Sequence, residues 1–502
     1  MPTSNPHASA DSDAHGHGSH DTTNASNENT ALLPSFLRGE IQHEGESGRH
    51  GFHLRHFCSV TYKSSNIVSQ YVNFLWPFVP LAIIFRYTLP NHPLLIFGFA
   101  YVGMIPSANL LGFAGQEFAK KMPKVAGTLI ETTFGSLVEI ILFVVLIVKH
   151  REPVEGEEEG NGDEGNLIPI IQAAILGSIL TNLLLCLGLC FFVGGLQKTT
   201  QKFHSAISET GNGLLLVAAF GLLIPSAFYS ALKGETTFGK NSLGFVILED
   251  KFTPETLQKD ILKISQVTSI VLIIAFGCYL LFNAKSQHSV FHEVIEMDEH
   301  RDLDREEDQA RMRYTGTETT IALTISLTLA TLLLIHLAEQ IEPVVHSGIP
   351  DQFLGLILLP LVEKAAEHLT AIDEAYDGVI NVALFHCLGP SIQTALFNGP
   401  LVVIVGWILG KPMDLNFEIF MIVLVVLGIV VVGNFLRDGE SNWLEGALLV
   451  IVYVIIAIAS WYYPNPDVAT SNGIEGSAVS PNNITIDKAL LKNLLTMANQ
   501  NP

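Results

Sequence analysis

Apolar and polar positions along this chain come in blocks. Stretches of about 20 apolar residues, the length a helix needs to cross a bilayer core, recur between residues 70 and 463 with polar segments between them. These blocks predict about eleven transmembrane helices, at roughly 70–88, 94–114, 126–148, 168–194, 212–232, 265–283, 318–338, 353–375, 379–409, 417–436 and 443–463. Gly389 and Pro390, inside the long ninth block, predict a break or kink there, because proline removes a helical donor and crowds the preceding turn. The expected fold class is an all-α polytopic membrane protein. The first 50 residues are polar and rich in Ser, His, Asn and Gly, with no cleavable leader, and predict a disordered tail. Within it, "DAHGHGSHD" (13–21) reads as solvated chain rather than a soft-metal site.

Composition agrees with a membrane protein. Of 502 residues, 48% are hydrophobic and 15% charged, against about 25% charged in soluble domains. The formal net charge of −22 is concentrated in two acidic loops, "REPVEGEEEGNGDEG" (151–165) and "FHEVIEMDEHRDLDREEDQ" (291–309), and in the termini. An acidic total argues against nucleic acid as a partner. The 291–309 run lacks the ligand spacing of an EF-hand loop and reads as a solvated charge run. Cys186 and Cys190 stand one helical turn apart. They read as small buried core residues rather than a metal or redox pair.

Basic residues set the orientation. Lys120, Lys121 and Lys124 follow the second block, and Lys198 and Lys202 follow the fourth. If these loops face the cytosol, so does the N-terminus, and eleven spans put the C-terminus in the lumen. The "NNITID" sequon at Asn483 fits that side. The segment 233–264, with five lysines on the lumenal side, does not fit, but the rule weakens as loops lengthen.

The chain also repeats. The third block contains "FGSLVEIILF" and the eighth "LLPLVEKAAEH"; the blocks that follow contain "ILGSILTNLLL" and "CLGPSIQTALF". Glu139 precedes Gly177 by 38 residues and Glu367 precedes Gly389 by 22, and an acidic insert of about 16 residues accounts for the difference. Glu139 therefore matches Glu367. Asn182 and Gln393 are the amides that follow. Five helices repeat, and an odd number means that the halves insert with opposite orientation, as in secondary transporters with a midplane binding site. The expected division is a disordered cytosolic region (1–69), a leading helix (70–93), a first five-helix repeat (94–283), an acidic cytosolic linker (284–316), a second, inverted five-helix repeat (317–463) and a polar tail (464–502).

A carboxylate at the bilayer centre costs roughly 2.5–3.5 kcal/mol on insertion scales. Two at matched positions point to a cation site, and hard oxygen donors suit Ca²⁺ or Mn²⁺ better than a soft metal. Carboxylates held close together also protonate readily, so one pair can hold a cation or protons, which is the basis of antiport. The structural alternative is a buried ion pair, for which Lys364 and His368 are the available partners. Gly135, Gly177 and Gly389 read equally as close-packing positions.

These motifs, with "LLGFAGQEFAKK" and "FLRDGESNWLEGALLVIVY", resemble the calcium/proton exchangers of the cation/calcium exchanger superfamily, in their fungal and plant vacuolar form, over about residues 70–465. The resemblance implies Ca²⁺ and H⁺ as the exchanged ions, no cofactor, a vacuolar or other endomembrane location, and cation-binding roles for Glu139 and Glu367. It passes supporting roles to Gly177, Ser178, Asn182, Ser391 and Gln393, and places His368 after the second glutamate. The chain departs from the family's Gly-Asn-x-x-Glu pattern where selectivity is made. Ser136 replaces the first asparagine, Glu363-Lys364 replaces the second Gly-Asn, and Glu131 is an added carboxylate upstream. Lys364 then either pairs with Glu131 or Glu363 and frees the two matched glutamates, or fills the cation position itself. The first outcome implies an exchanger for Ca²⁺, Mn²⁺ or a monovalent cation; the second implies a transport-impaired regulatory relative. An intramembrane enzyme fits poorly, since "AYDG" (375–378) has no matching aspartate motif and "EKAAEH" lacks the first histidine of a zinc hydrolase.

Overall fold

A computed structural model describes residues 51–63, 67–122, 124–150, 167–238, 254–285 and 313–463. The tail 1–50, both acidic loops and the C-terminal tail with its sequon lie outside the described residues. Within them, helices overlie every apolar block. Leu54–Lys63 (α1), Ile67–Val72 (α2) and Phe78–Thr88 (α3) lead into Pro93–Lys120 (α4) and Lys124–Lys149 (α5). Ile168–Leu180 (α6), a π-helical segment Thr181–Cys186 (π1) and Leu187–Gln197 (α7) form one rod, followed by Ser205–Phe238 (α8) and Pro254–Lys285 (α9). The second half runs through Gly316–Glu339 (α10), Ile341–His346 (α11) and Asp351–Phe353 (α12), then Leu354–Leu358 (π2) and Leu359–Asp377 (α13). It continues with Ile380–Gln393 (α14), Thr394–Asn398 (π3), Gly399–Leu409 (α15), Ile419–Phe435 (α16) and Trp443–Tyr462 (α17). Seven of these rods are individually long and apolar enough to cross a membrane. The fold is that of an all-α membrane protein. Its one sheet among the described residues is a two-residue antiparallel ladder, Gln201–Lys202 (β1) on Glu440–Ser441 (β2).

The sequence punctuates these helices. Thr315 and Glu318 form a reciprocal capping box at the start of α10. The Asn442 side chain accepts from the Leu444 and Glu445 amides at the start of α17. Gly378 ends α13 at φ +88, a backbone conformation other residues rarely adopt.

Three expectations need correction. Residues 54–63 form helix rather than disordered tail, because a short apolar stripe finds a partner: Val60 buries beside Phe113 and Tyr314, and His56 Nδ1 meets Glu318 Oε2 at 2.8 Å. The 233–264 segment is not simply a loop, since α8 and α9 enter it from both sides. The ninth block does not break at Gly389–Pro390. Ser391 Oγ donates to Cys387 O at 2.9 Å, and the helix widens into π3 one turn later. Such hydroxyl bonds and π adjustments let membrane helices absorb proline.

The packing is reciprocal between the halves. α4 lies against α10, and each also packs on the other half's glutamate-bearing helix, α13 and α5 respectively. α7 packs on α17 as α15 packs on α9, and α8 on α16. Small residues permit the closest crossings. A Cβ at Gly177 would overlap the Leu356 carbonyl, and one at Gly446 the Gly188 carbonyl.

Candidate functional site

The two matched glutamates approach each other where α5 and α13 pass through the middle of the bundle. Between them lies one cation, the Lys364 ammonium, 3.2 Å from Glu139 Oε2 and 3.5 Å from Glu367 Oε2. The contacts are ion pairs by distance but are not aligned as hydrogen bonds. The Lys364 side chain is 1% exposed. Lys364 and Glu367 are three apart on one helix and so share a face; Glu139 comes from the other half.

The glutamates differ in their surroundings. Glu139 is fully buried and held by neutral donors from π3: Thr394 Oγ1 donates to both carboxylate oxygens at 2.9 and 3.0 Å, and Asn398 Nδ2 to Oε2 at 3.0 Å. Glu367 is 22% exposed and rests against Gly135, where a Cβ would stand 2.8 Å from its Oε1. It borders a cavity of about 90 Å³ that is also lined by Asn109, Gly135, Ser136, Glu363 and His386. Neither oxygen of buried Glu363, nor the Ser136 hydroxyl, has a hydrogen-bond partner among the described residues. Three carboxylates and one ammonium leave the cluster negative when all are ionised. It can therefore accept a further cation.

The structure brings some predicted site residues together and not others. Ser178 Oγ lies 3.4 Å from Thr394 Oγ1, one step removed from Glu139. His368 Nε2 donates to Asn182 Oδ1 at 2.9 Å, so both residues turn to each other rather than to the glutamates, and Asn182 Nδ2 has no partner among the described residues. Gln393 is buried with its Oε1 likewise without a hydrogen-bond partner among the described residues. Ser391 donates to its own helix. Gly389 opens onto the cavity, and a Cβ there would meet nothing within 4 Å, unlike Gly177. Glu131 lies on α5, with its side chain outside the described residues. The Lys364 ammonium pairs with Glu139 and Glu367, and Glu363 takes no hydrogen bond from it. Thr394 and Asn398 went unread, although two polar residues four apart in the otherwise apolar "TALFNGPLVVIV" were a legible signal. The His386 Nδ1–Glu374 Oε2 pair, 2.7 Å long and partly exposed, joins a cavity-lining residue to α13 and also went unread.

The sequence profile of the sodium/calcium exchanger protein family matches residues 92–285 and 317–462. The chain belongs to that family. Its two matched blocks each hold five apolar rods and one of the two glutamates. Within this exchanger family it is 31% identical over 404 residues to vacuolar cation/proton exchanger 2 of Oryza sativa subsp. japonica, covering 80% of this chain and 84% of that protein. It is 30% identical over 405 residues to the vacuolar calcium ion transporter of Schizosaccharomyces pombe, covering 80% and 87%. Among solved structures, native YfkE superimposes with a TM-score of 0.59 at 26% identity, covering 78% of this chain and all of that one. The H⁺/Ca²⁺ exchanger CAX shares the fold, with a TM-score of 0.51 at 13% identity, covering 79% and 90%.

Proposed function

We propose that this chain is a cation/proton antiporter of a vacuolar or related endomembrane. It would move Ca²⁺, or the similar Mn²⁺, from the cytosol in exchange for protons. The observation that carries the reading is the bridge Glu139–Lys364–Glu367: two carboxylates from opposite halves already share one positive charge at 3.2 and 3.5 Å. The ammonium marks where a mobile cation would sit. Loading requires Lys364 to swing away, and the neighbouring Glu363 carboxylate, buried without hydrogen-bond partners among the described residues, is the anion positioned to receive it. Thr394 and Asn398 keep Glu139 in place, while Glu367, open to the cavity, exchanges with solvent. The reciprocal packing and the two matched blocks support two inverted five-helix repeats, 94–283 and 317–463, after a leading helix, with eleven crossings and a cytosolic N-terminus. Alternating access would be a rocking of the halves around this bridge.

A second reading rests on the same ion pairs: a non-transporting relative whose lysine fills the site permanently. Reconstituted vesicles with an acidic interior separate the two readings. Ca²⁺, Mn²⁺, Na⁺ and K⁺ are offered in turn while internal pH is followed. The expected result is proton efflux driven by a divalent ion and lost in both Glu139→Gln and Glu367→Gln. Silence of the wild type with every ion, together with efflux in Lys364→Asn, would replace antiport by the second reading.

A further inference from the structure

Away from the cavity lining, three thiols meet between the halves. Cys387 Sγ on α14 lies 3.4 Å from Cys186 Sγ, at the end of π1, and 3.8 Å from Cys190 Sγ on α7. All three sulfurs fall within 4.8 Å of one another, and all three residues are fully buried. The first pair was legible as one helical turn in the sequence. The third comes from the other half, some 200 positions later, and no spacing rule connects it. Three of the chain's five cysteines thus converge on one point, while Cys58 and Cys278 are exposed and apart.

We propose that Cys186, Cys190 and Cys387 form a three-sulfur site for a soft, thiophilic cation, separate from the carboxylate site, and that filling it clamps the two halves and stops exchange. Metal–sulfur bonds of about 2.3 Å require sulfur–sulfur edges of about 3.8–4.0 Å in trigonal or tetrahedral geometry. The two edges from Cys387, 3.4 and 3.8 Å, lie close to this, and the third is no longer than 4.8 Å. The donor set contains sulfur alone, which selects soft ions against Ca²⁺ and Mn²⁺. As the metal–sulfur bonds form, the thiols release their protons to solvent. The polar pair nearest in sequence that reaches solvent is His386–Glu374, with side chains 24% and 23% exposed. His386 directly precedes Cys387 in the chain and lines the cavity. The bound ion would tie π1 and α7 to α14, which come from opposite halves; resting on the rocking of the halves proposed above, that tie is what would stop exchange.

The test uses the full chain in detergent, with Cys58→Ser and Cys278→Ser to remove the exposed thiols. Cd²⁺ is the probe, read by sulfur-to-metal charge-transfer absorption in the ultraviolet and by bound metal per chain. The expected result is one Cd²⁺ per chain with a saturating band, kept in Glu139→Gln and Glu367→Gln. Removal of a ligand in Cys387→Ser should weaken binding by at least about 10–100-fold, as loss of even a supporting residue does. In vesicles, Cd²⁺ should halt exchange in the parent and fail to do so in Cys387→Ser. The absorption readout stands even if no exchange is found. No band in the parent, which needs no further variant to fold, overturns the proposal, as does a band of unchanged strength in Cys387→Ser and Cys186→Ser.

Discussion

Glu139 and Glu367 occupy matched positions in the two halves and bind the same ammonium, yet one is anchored and the other is not. Glu139 is sealed from solvent and accepts from Thr394 and Asn398. Glu367 is 22% exposed, lines the cavity and has Lys364 and the open face of Gly135 beside it. A pseudo-symmetric scaffold has thus produced an asymmetric pair, with a fixed carboxylate on one side and an adjustable one on the other. The difference comes from π3, whose two polar residues have no counterpart pairing with Glu367 among the described residues.

Removing the anchored side should have the largest effect. Glu139→Ala leaves Lys364 with a single partner and orphans two buried donors; breaking a buried ion pair in this way costs about 3–5 kcal/mol. Glu367→Ala should cost less than half of that, because solvent reaches the group. Thermal unfolding in detergent reports both, and an equal or reversed order would erase the comparison. Next comes Lys364→Met, which leaves two carboxylates facing each other. It should lower stability in chelator by about 3 kcal/mol, and divalent cation should restore it, by about 2.7 kcal/mol at a hundredfold excess over Kd. Melting with Ca²⁺ or Mn²⁺ against chelator measures this, and a variant indifferent to both ions would deny that Lys364 marks the cation position.

Smaller changes sharpen the contrast. Thr394→Val removes a hydrogen bond to a charged group, worth about 1.5–3 kcal/mol, and should weaken cation-dependent stabilisation without altering solvent access to Glu367. Gly135→Ala pushes a methyl against Glu367 Oε1. Because a flexible side chain can yield, stability should fall by only about 1 kcal/mol, while apparent cation affinity falls several-fold in the same melting assay. The smallest effect belongs to Glu339, which mirrors the centre in charge. It is one carboxylate between two cations, Arg86 at 2.8 Å and Lys149 at 3.2 Å, partly exposed at the helix ends. Glu339→Gln should change stability by no more than about 1 kcal/mol and leave exchange intact.

Much of this arrangement could be read from the chain alone. Apolar block length placed the helices, and the paired "LVE" segments singled out Glu139 and Glu367. Lys364 stood out because a lysine in an apolar block is costly unless paired. What periodicity could not supply was direction around the helix. Thr394 rather than Gln393 faces Glu139, because the widened π3 turn sets the rotation there, and a π segment leaves no trace in hydrophobic spacing. Asn182, expected at the cation, turns its amide oxygen to His368 from the other half in this structure. Nor could polarity alone reveal that residues 54–63 fold: the stripe of Phe57 and Val60 is too short to register until Tyr314 and Phe113 cover it.

The Lys364 side chain carries a further consequence. An ammonium carried by the chain itself stays beside the two carboxylates however dilute the surroundings. Any mobile ion must outcompete it. The site would thus ignore trace cation and respond only once the supply rises past a level written into the chain, so that one buried lysine acts as a set point.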